Sequence, residues 1–195
     1  MNKPDKFKKI TQVSDEYCDN LLKIFDKDYN KNHNNLYQRD IFFKKVDCDF
    51  TIDKFKIKNK EKLNKFINIS KNLLEELKNL YGHGTFCSIQ IAKMSGGGVI
   101  LPHIDAGLEF VFSHRIHIPL ITNENVIFTI DDEDFYFHPK NVYELNNLKV
   151  HSVKNNNPIE YNRIHLILDY ISEEYIPFLN PFVRSNKQKF KLNYN

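Results

Sequence analysis

The sequence predicts an α+β chain, mainly β, in which helices come first and a jelly-roll or related barrel follows within one unit. Two observations carry this. Before residue 82, two stretches place apolar residues at helical spacing. From Thr85 onward the pattern changes to roughly eight short apolar segments, evenly spaced and separated by turn-forming clusters.

The first helix starts at Ser14-Asp15-Glu16, an N-cap followed by acids in the first turn, and continues in the apolar stripe Tyr17, Leu21, Leu22, Ile24 and Phe25. Asn30–Asn35 is polar and reads as a loop. Ile41-Phe42-Phe43 and Phe50–Ile57 read as short strands or an extended connection. A second, longer helix is expected from about Asn59 to Tyr81, where Leu63, Phe66, Ile67, Leu73, Leu74, Leu77 and Leu80 share a face and Gly82 suits the C-terminal cap. Without a sustained heptad, this stripe packs on a sheet.

The expected strands are Phe86–Met94, Val99–His103, Arg115–Ile121, Val126–Ile130, Phe135–His138, Val142–Leu145, Val150–Lys154 and Arg163–Tyr170. Ser95–Gly98, Asp131–Glu133, Pro139–Asn141 and Asn155–Pro158 make the turns between them. Gly96–Gly98 lacks the following Lys-Ser/Thr of a phosphate loop and reads as a strand connection. Ile171–Asn195 reads as helix or irregular structure with a basic, frayed finish at Lys187–Lys191.

A chain of 195 residues fits a single domain, 1–195. It divides into a helical N-terminal part (1–82), a β core (83–170) and a C-terminal extension (171–195). No apolar run reaches the ~18 residues of a membrane span, and the basic start is not followed by the apolar region of a secretory signal. Cys18, Cys48 and Cys87 are far apart and form no CxxC pair, which suits free thiols in a reducing, cytoplasmic setting. Residues 1–82 carry 18 Lys/Arg against 13 Asp/Glu, whereas 83–195 carry 10 against 12. Interleaved acids break up the basic half, which holds only Arg39 as arginine, so no nucleic-acid surface and no membrane partner are expected.

The chemistry is carried by His103-Ile104-Asp105, then His151, then Arg163. A lone His-x-Asp means little, since roughly one is expected by chance in such a composition. The assembly means more. Residues two apart on a strand share a face, so His103 and Asp105 at a strand end point into one barrel mouth. His151 lies on a strand that several antiparallel returns bring to the same mouth. Two imidazoles and a carboxylate are the donor set of a facial triad for iron(II). Arg163 opens an apolar strand and needs an anion, because a buried, unmatched guanidinium is costly. A ligand carboxylate would satisfy it with two parallel hydrogen bonds, while Glu144 or Glu160 would be its internal alternatives.

Four segments together resemble the aspartyl/asparaginyl β-hydroxylase-type branch of the iron(II)- and 2-oxoglutarate-dependent oxygenases. They are Leu101–Asp105, His114–Leu120, Glu144–Asn147 with His151–Val153 and Asn155, and Arg163–Asp169. The resemblance implies a double-stranded β-helix core of the jelly-roll, cupin-like type, with the N-terminal helices packed on it. It implies His103, Asp105 and His151 as catalytic metal ligands, Arg163 as the 2-oxoglutarate-binding arginine, and Arg115 and His117 as further cosubstrate contacts. Fe(II), 2-oxoglutarate and O2 would support hydroxylation of an amino acid or an aspartyl/asparaginyl-type side chain, with release of succinate and carbon dioxide. The animal peptidyl hydroxylases of this branch have glycine where this chain has Asp105, whereas bacterial relatives acting on free amino acids keep the acid. The resemblance thus implies ordinary three-ligand iron binding and weakens any transfer of the animal enzymes' peptide specificity, with a free amino acid and a protein side chain both open as substrate.

His114 should face away from the strand side of Arg115 and reads as a surface residue, whereas His165 shares the face of Arg163. His138 reads as structural or rim, and Asn146 and Asn147 as fixing the turn before His151. The alternative class is a non-oxidative cupin-like isomerase or small-molecule binder. Such proteins often pair His-x-His with a nearby Glu, which this chain lacks.

Overall fold

The computed structural model describes residues 1–24, 37–45, 55–57, 60–105 and 107–179. Two antiparallel sheets form the body. The larger contains β1 (Phe7–Gln12), β2 (Tyr37–Lys45), β3 (Phe55–Ile57), β4 (Gly84–Ser95), β6 (His114–Ile121), β9 (Asn141–Leu145) and β11 (Asn162–Ser172), in the order β1-β9-β6-β11-β4-β2-β3. The smaller contains β5 (Val99–His103), β7 (Val126–Ile130), β8 (Glu133–Phe135) and β10 (His151–Asn155), in the order β5-β10-β7-β8. From β4 onward the chain passes back and forth between the sheets, with the β7–β8 hairpin kept in the smaller one, as in a jelly roll, and the fold class expected from sequence is what is observed.

The period of two sorts the core. In β11, Ile164, Leu166, Leu168 and Tyr170 lie with Ile116, Ile118 and Leu120 of β6 under the helices α1 (Asp15–Ile24), α2 (Lys60–Ile69) and α3 (Lys71–Tyr81). Leu21, Phe66, Leu74 and Leu77 are the helical side of that layer. The opposite faces of β6 and β11 look into the space between the sheets. There Met94, Phe128, Ile130, Phe137, Tyr143 and Val153 form a second apolar cluster. Polar residues on β6 and β11 at alternate positions are thereby delivered to the barrel interior.

Several details depart from expectation. The N-terminal part is not only helical: β1, not expected from sequence, pairs antiparallel with β9 and so borders the large sheet, while the extended segments expected at Ile41–Phe43 and up to Ile57 fall in β2, which pairs with β4, and in β3. The long helix breaks at Ser70, whose buried hydroxyl bonds to Tyr17 Oη at 2.8 Å. A short helix, α4 (Leu108–Phe112), lies between β5 and β6, and β8 occupies Glu133–Phe135 instead of Phe135–His138. At the chain's end, a 3-10 turn (Glu173–Tyr175) leads into α5 (Ile176–Leu179).

The Ser14 cap is present, accepting the Tyr17 N–H at 3.1 Å. The glycine triplet is a strand connection: Gly97 has φ 73°, and a Cβ on Gly96 would meet the Pro158 carbonyl oxygen at 1.8 Å. Cys18 and Cys87 are buried free thiols. Phe25, the Asn30–Asn35 loop, Cys48, residues 50–54 and the Lys187–Lys191 finish lie outside the described residues. Among the described residues, no helix is long and apolar enough to cross a membrane.

Candidate active site

His103 ends β5 and His151 begins β10, and the antiparallel register makes them direct cross-strand partners. Their ring centroids are 4.4 Å apart. Each imidazole is fixed in the same way. Nδ1 of His103 lies 2.7 Å from the carbonyl oxygen of Leu101, and Nδ1 of His151 lies 2.9 Å from that of Lys149. Since a carbonyl only accepts, each ring carries its proton on Nδ1 and leaves the Nε2 lone pair for a ligand. Asp105 follows β5 and is held by its own N–H, which donates to the Asn147 carbonyl at 3.0 Å. Its Oδ1 lies 3.8 Å from His103 Nε2.

One ligand atom from each of His103, Asp105 and His151 lies within 4.8 Å of the others. Two nitrogens and one carboxylate oxygen, with tautomers already set, fit a first-row divalent metal with open positions. Burial also holds the His151 imidazole below its ordinary range, so it is neutral as a ligand must be. His103 is 40% exposed at its side chain, whereas Asp105 is 13% exposed. The metal position therefore opens to solvent on the β5 side.

Behind the triad stands a buried charge cluster. Arg115 places Nε 3.2 Å from Asp105 Oδ2 and donates from Nη1 to Asp169 Oδ1 at 2.8 Å. Arg115 and Asp169 are neighbours across β6 and β11, which explains their contact. Burial pushes the Asp169 carboxyl above the ordinary range, with the Arg115 guanidinium offsetting part of that effect. Asp169 belongs to the face of Arg163 by alternation, but alternation alone names no partner for it. Arg115 was expected at a cosubstrate; in the structure its described ion pairs are to Asp105 and Asp169.

A further support comes from the N-terminal segment. Lys3 Nζ donates to the carbonyls of Phe110 and Ser113, both at 2.9 Å, and to Asn147 Oδ1. It ties the segment that follows Asp105 to the turn that precedes His151. Asn146 binds the same N-terminal segment, donating to the Pro4 carbonyl at 2.9 Å, and accepts the Leu148 N–H at 3.2 Å. Both asparagines thus organise the turn before His151. Nothing in the local sequence around Lys3 signals this role.

Arg163 lies deep between the sheets, 1% exposed, with its guanidinium 5.2 Å above the Phe128 ring. Its Nη2 is 2.8 Å from Nδ1 of His165. His117 is buried on the same interior face, its ring 6.0 Å from Phe128 and 5.9 Å from His165. Glu144 is not the partner of Arg163. It lies on the helix side of the sheet, where it accepts from His114 Nδ1 at 2.6 Å and Tyr81 Oη at 2.8 Å and pairs with Lys8 at 2.9 Å. This corrects the surface reading of His114, which is 6% exposed and stacked on Tyr81. Alternation placed it on the face opposite Arg115, but that face is covered by helices. His138 is exposed, with its ring against Tyr136.

No curated protein matches the sequence. The fold is similar to several solved structures. One is HygX from Streptomyces hygroscopicus with nickel and 2-oxoglutarate bound: TM-score 0.56, 10% identity, 86% of this chain and 83% of that one. Another is the viral collagen prolyl hydroxylase of Paramecium Bursaria Chlorella virus-1, as its 2-oxoglutarate complex: TM-score 0.51, 14% identity, 86% and 96%. A third is the alpha-ketoglutarate-dependent epimerase SnoN from nogalamycin biosynthesis: TM-score 0.56, 9% identity, 86% and 78%. At these identities the likeness concerns the fold. Residues 8–173, most of the chain and all four site segments, match the aspartyl/asparaginyl beta-hydroxylase family. The chain belongs to that family and is an oxygenase enzyme.

Proposed function

We propose that this chain is an iron(II)- and 2-oxoglutarate-dependent dioxygenase that hydroxylates an amino acid or an aspartyl/asparaginyl-type side chain. The observation that carries the reading is the convergence of His103, Asp105 and His151 at one end of a barrel that also buries Arg163. Val153, two residues beyond His151 on β10, pairs with Phe128, and the Arg163 guanidinium lies over that ring. The cation and the metal position thus share one interior.

When bound, iron(II) and 2-oxoglutarate would supply the oxidation: O2, the keto acid and the substrate would give succinate, carbon dioxide and the hydroxylated substrate, with one oxygen atom going to each of succinate and product. His103 and His151 would hold the metal through Nε2. Asp105 would hold it through one carboxylate oxygen while Arg115 fixes the other. A guanidinium fork matches a carboxylate bidentately, so Arg163 orients the distal end of the keto acid. His117 borders that space, and Arg115 acts on the metal end through Asp105. Because Arg163 is buried and His103 is exposed, the cosubstrate occupies the deep side and the substrate approaches from the β5 side. Buried free thiols and a basic surface broken by acids favour a cytoplasmic enzyme acting on a small molecule or peptide.

Succinate release with iron(II), 2-oxoglutarate and oxygen tests this. His103→Ala and Arg163→Ala should abolish it. Turnover unchanged in both variants rules the assignment out. Since the same fold carries epimerisation in a structural neighbour, mass analysis for a gain of one oxygen atom in candidate substrates decides between the outcomes.

A further inference from the structure

Eight large apolar side chains are exposed among the described residues, and five of them gather in one place. Val99 and Leu101 stand on β5, Ile104 lies between His103 and Asp105, and Leu148 and Val150 precede His151. Strand pairing makes them neighbours. The His103–His151 register sets Ile104 beside Val150, and the bond from the Asp105 N–H to the Asn147 carbonyl brings Leu148 to the same edge. Ile100 packs inside the barrel, so Val99 and Leu101 on either side of it point outward, and Leu101 is 73% exposed. An apolar rim thus borders the mouth through which the metal position opens to solvent. Contiguous exposed apolar surface of this kind marks a place of contact.

The backbone beside the rim is open as well. β5 is the last strand of the smaller sheet and, among the described residues, pairs with β10 alone. The Asn155 N–H donates to the Gly98 carbonyl at 3.0 Å, and in a planar trans peptide unit the next N–H points the opposite way. The Val99 N–H therefore faces the open edge, and by strand alternation the Val99 carbonyl and the Leu101 N–H face it too. Pro102 has no N–H and ends the run one residue before His103.

We propose that the substrate is an extended peptide segment that adds to the free edge of β5 as a further strand, with apolar side chains seated on the rim on either side of the residue that enters the metal mouth. This rests on the oxygenase reading above and narrows its substrate to a side chain within a peptide. In such a mode, backbone hydrogen bonds supply affinity and alternate side chains supply selectivity. The described cations around the mouth are already matched: Arg115 to Asp105 and Asp169, Lys149 to Asp131, and Lys3 to three oxygens. A free amino acid finds no described counter-charge for its carboxylate there, whereas a residue inside a peptide has no such carboxylate to match. β5 itself leads from the rim to His103, so a chain paired along Val99 and Leu101 arrives at the metal position without a further turn.

The test is calorimetric binding of short capped peptides with a central aspartate or asparagine to the protein loaded with nickel(II) and 2-oxoglutarate. One set is flanked by valine and leucine, a second by serine and glutamine, and free aspartate and asparagine form the small-molecule arm. The apolar set should bind about tenfold more tightly than the polar set. Leu101→Ser, at an exposed position that the fold does not need, should remove most of that difference. Leu80→Ser, an equal loss on helix α3, should leave it intact. N-methylation of the apolar peptides on their paired side should cost a similar factor. In the unmutated protein, amide exchange at Val99 and Leu101 should slow with the apolar peptides and not with the free amino acids. Equal affinity for both sets, unslowed exchange at Val99 and Leu101, or tighter binding of the free amino acids overturns the proposal. So does self-association that Leu101→Ser abolishes, which would make a second copy of the chain the occupant of the rim. Should the protein bind 2-oxoglutarate and no peptide, this inference falls and the oxygenase reading stands; should it bind no 2-oxoglutarate, both fall.

Discussion

Asp105 is held by Arg115: one carboxylate oxygen lies 3.2 Å from the guanidinium Nε, while the other lies 3.8 Å from Nε2 of His103. The carboxylate is thereby oriented before any metal arrives, and Asp169 anchors the arginine from behind at 2.8 Å. Outer-shell partners of this kind change metal affinity by about 10–100-fold. Asp169→Asn should therefore weaken nickel(II) binding by about tenfold, and Arg115→Leu by more. Arg115→Leu also strands the buried Asp169 carboxylate and removes a partner of the partly buried Asp105, a loss of about 3–5 kcal/mol. Calorimetry and thermal melts check both, and an unchanged nickel(II) affinity in the two variants removes the orienting role.

Asp105→Gly reproduces the residue of the animal peptidyl hydroxylases that the sequence resembles. Here it should not be tolerated, because the surroundings are built for a carboxylate. The metal site loses one of three donors, and Arg115 keeps only Asp169 of its two acids. Nickel(II) affinity should fall further than in Asp169→Asn, and succinate release should be lost. A variant that retains wild-type turnover would show that the two histidines suffice.

The triad was legible because strand alternation and a return strand are local patterns: the His-x-Asp spacing puts two donors at one strand end, and the register brings His151 opposite. Arg163 was legible because an arginine in an apolar strand demands an anion. The partners that tune these groups were not. Asp169 meets Arg115 only through β6–β11 pairing, and Lys3 reaches Asn147 across 144 positions of sequence. His114 was assigned to the correct face and still misread. Alternation gives the side of a sheet, whereas burial depends on the helices that cover it. The two-part helix is of the same kind: the apolar stripe runs through Ser70, and the residue that meets it at the break, Tyr17, lies 53 positions away in the sequence.

Lys3 offers its three donors to three oxygens around the segment that carries Asp105 and the turn before His151. Lys3→Met keeps an unbranched stem and removes them all, leaving fully buried Asn147 without one partner. Losing a donor to buried acceptors costs about 1–3 kcal/mol, and each kcal/mol moves the midpoint by about 2–4 °C in a chain of this size. Thermal melts should show a drop of several degrees, accompanied by weaker nickel(II) binding. A lower midpoint with unchanged metal affinity would limit Lys3 to stability.

Glu144 makes acid stability a readout of the sheet's helix side. Burial alone would raise its carboxyl, but hydrogen bonds from His114 and Lys8 outweigh it and hold the group below its ordinary value of 4.5. A carboxyl depressed in the folded state stabilises at neutral pH, because the unfolded chain binds the proton first as pH falls. That contribution is complete above about 4.5 and is lost progressively as pH drops through the lower folded value. Glu144→Gln keeps the shape and removes the ionisation. It should lower the melting temperature at pH 7 and flatten the decline between about pH 5 and pH 3 relative to wild type. Parallel profiles across that window would mean that other carboxyls set the acid limit. The cluster joins Lys8 of β1, Tyr81 of α3, His114 of β6 and Glu144 of β9. Its loss should therefore loosen the contact between the N-terminal elements and the barrel, while the metal site on the other face of the sheet keeps its affinity.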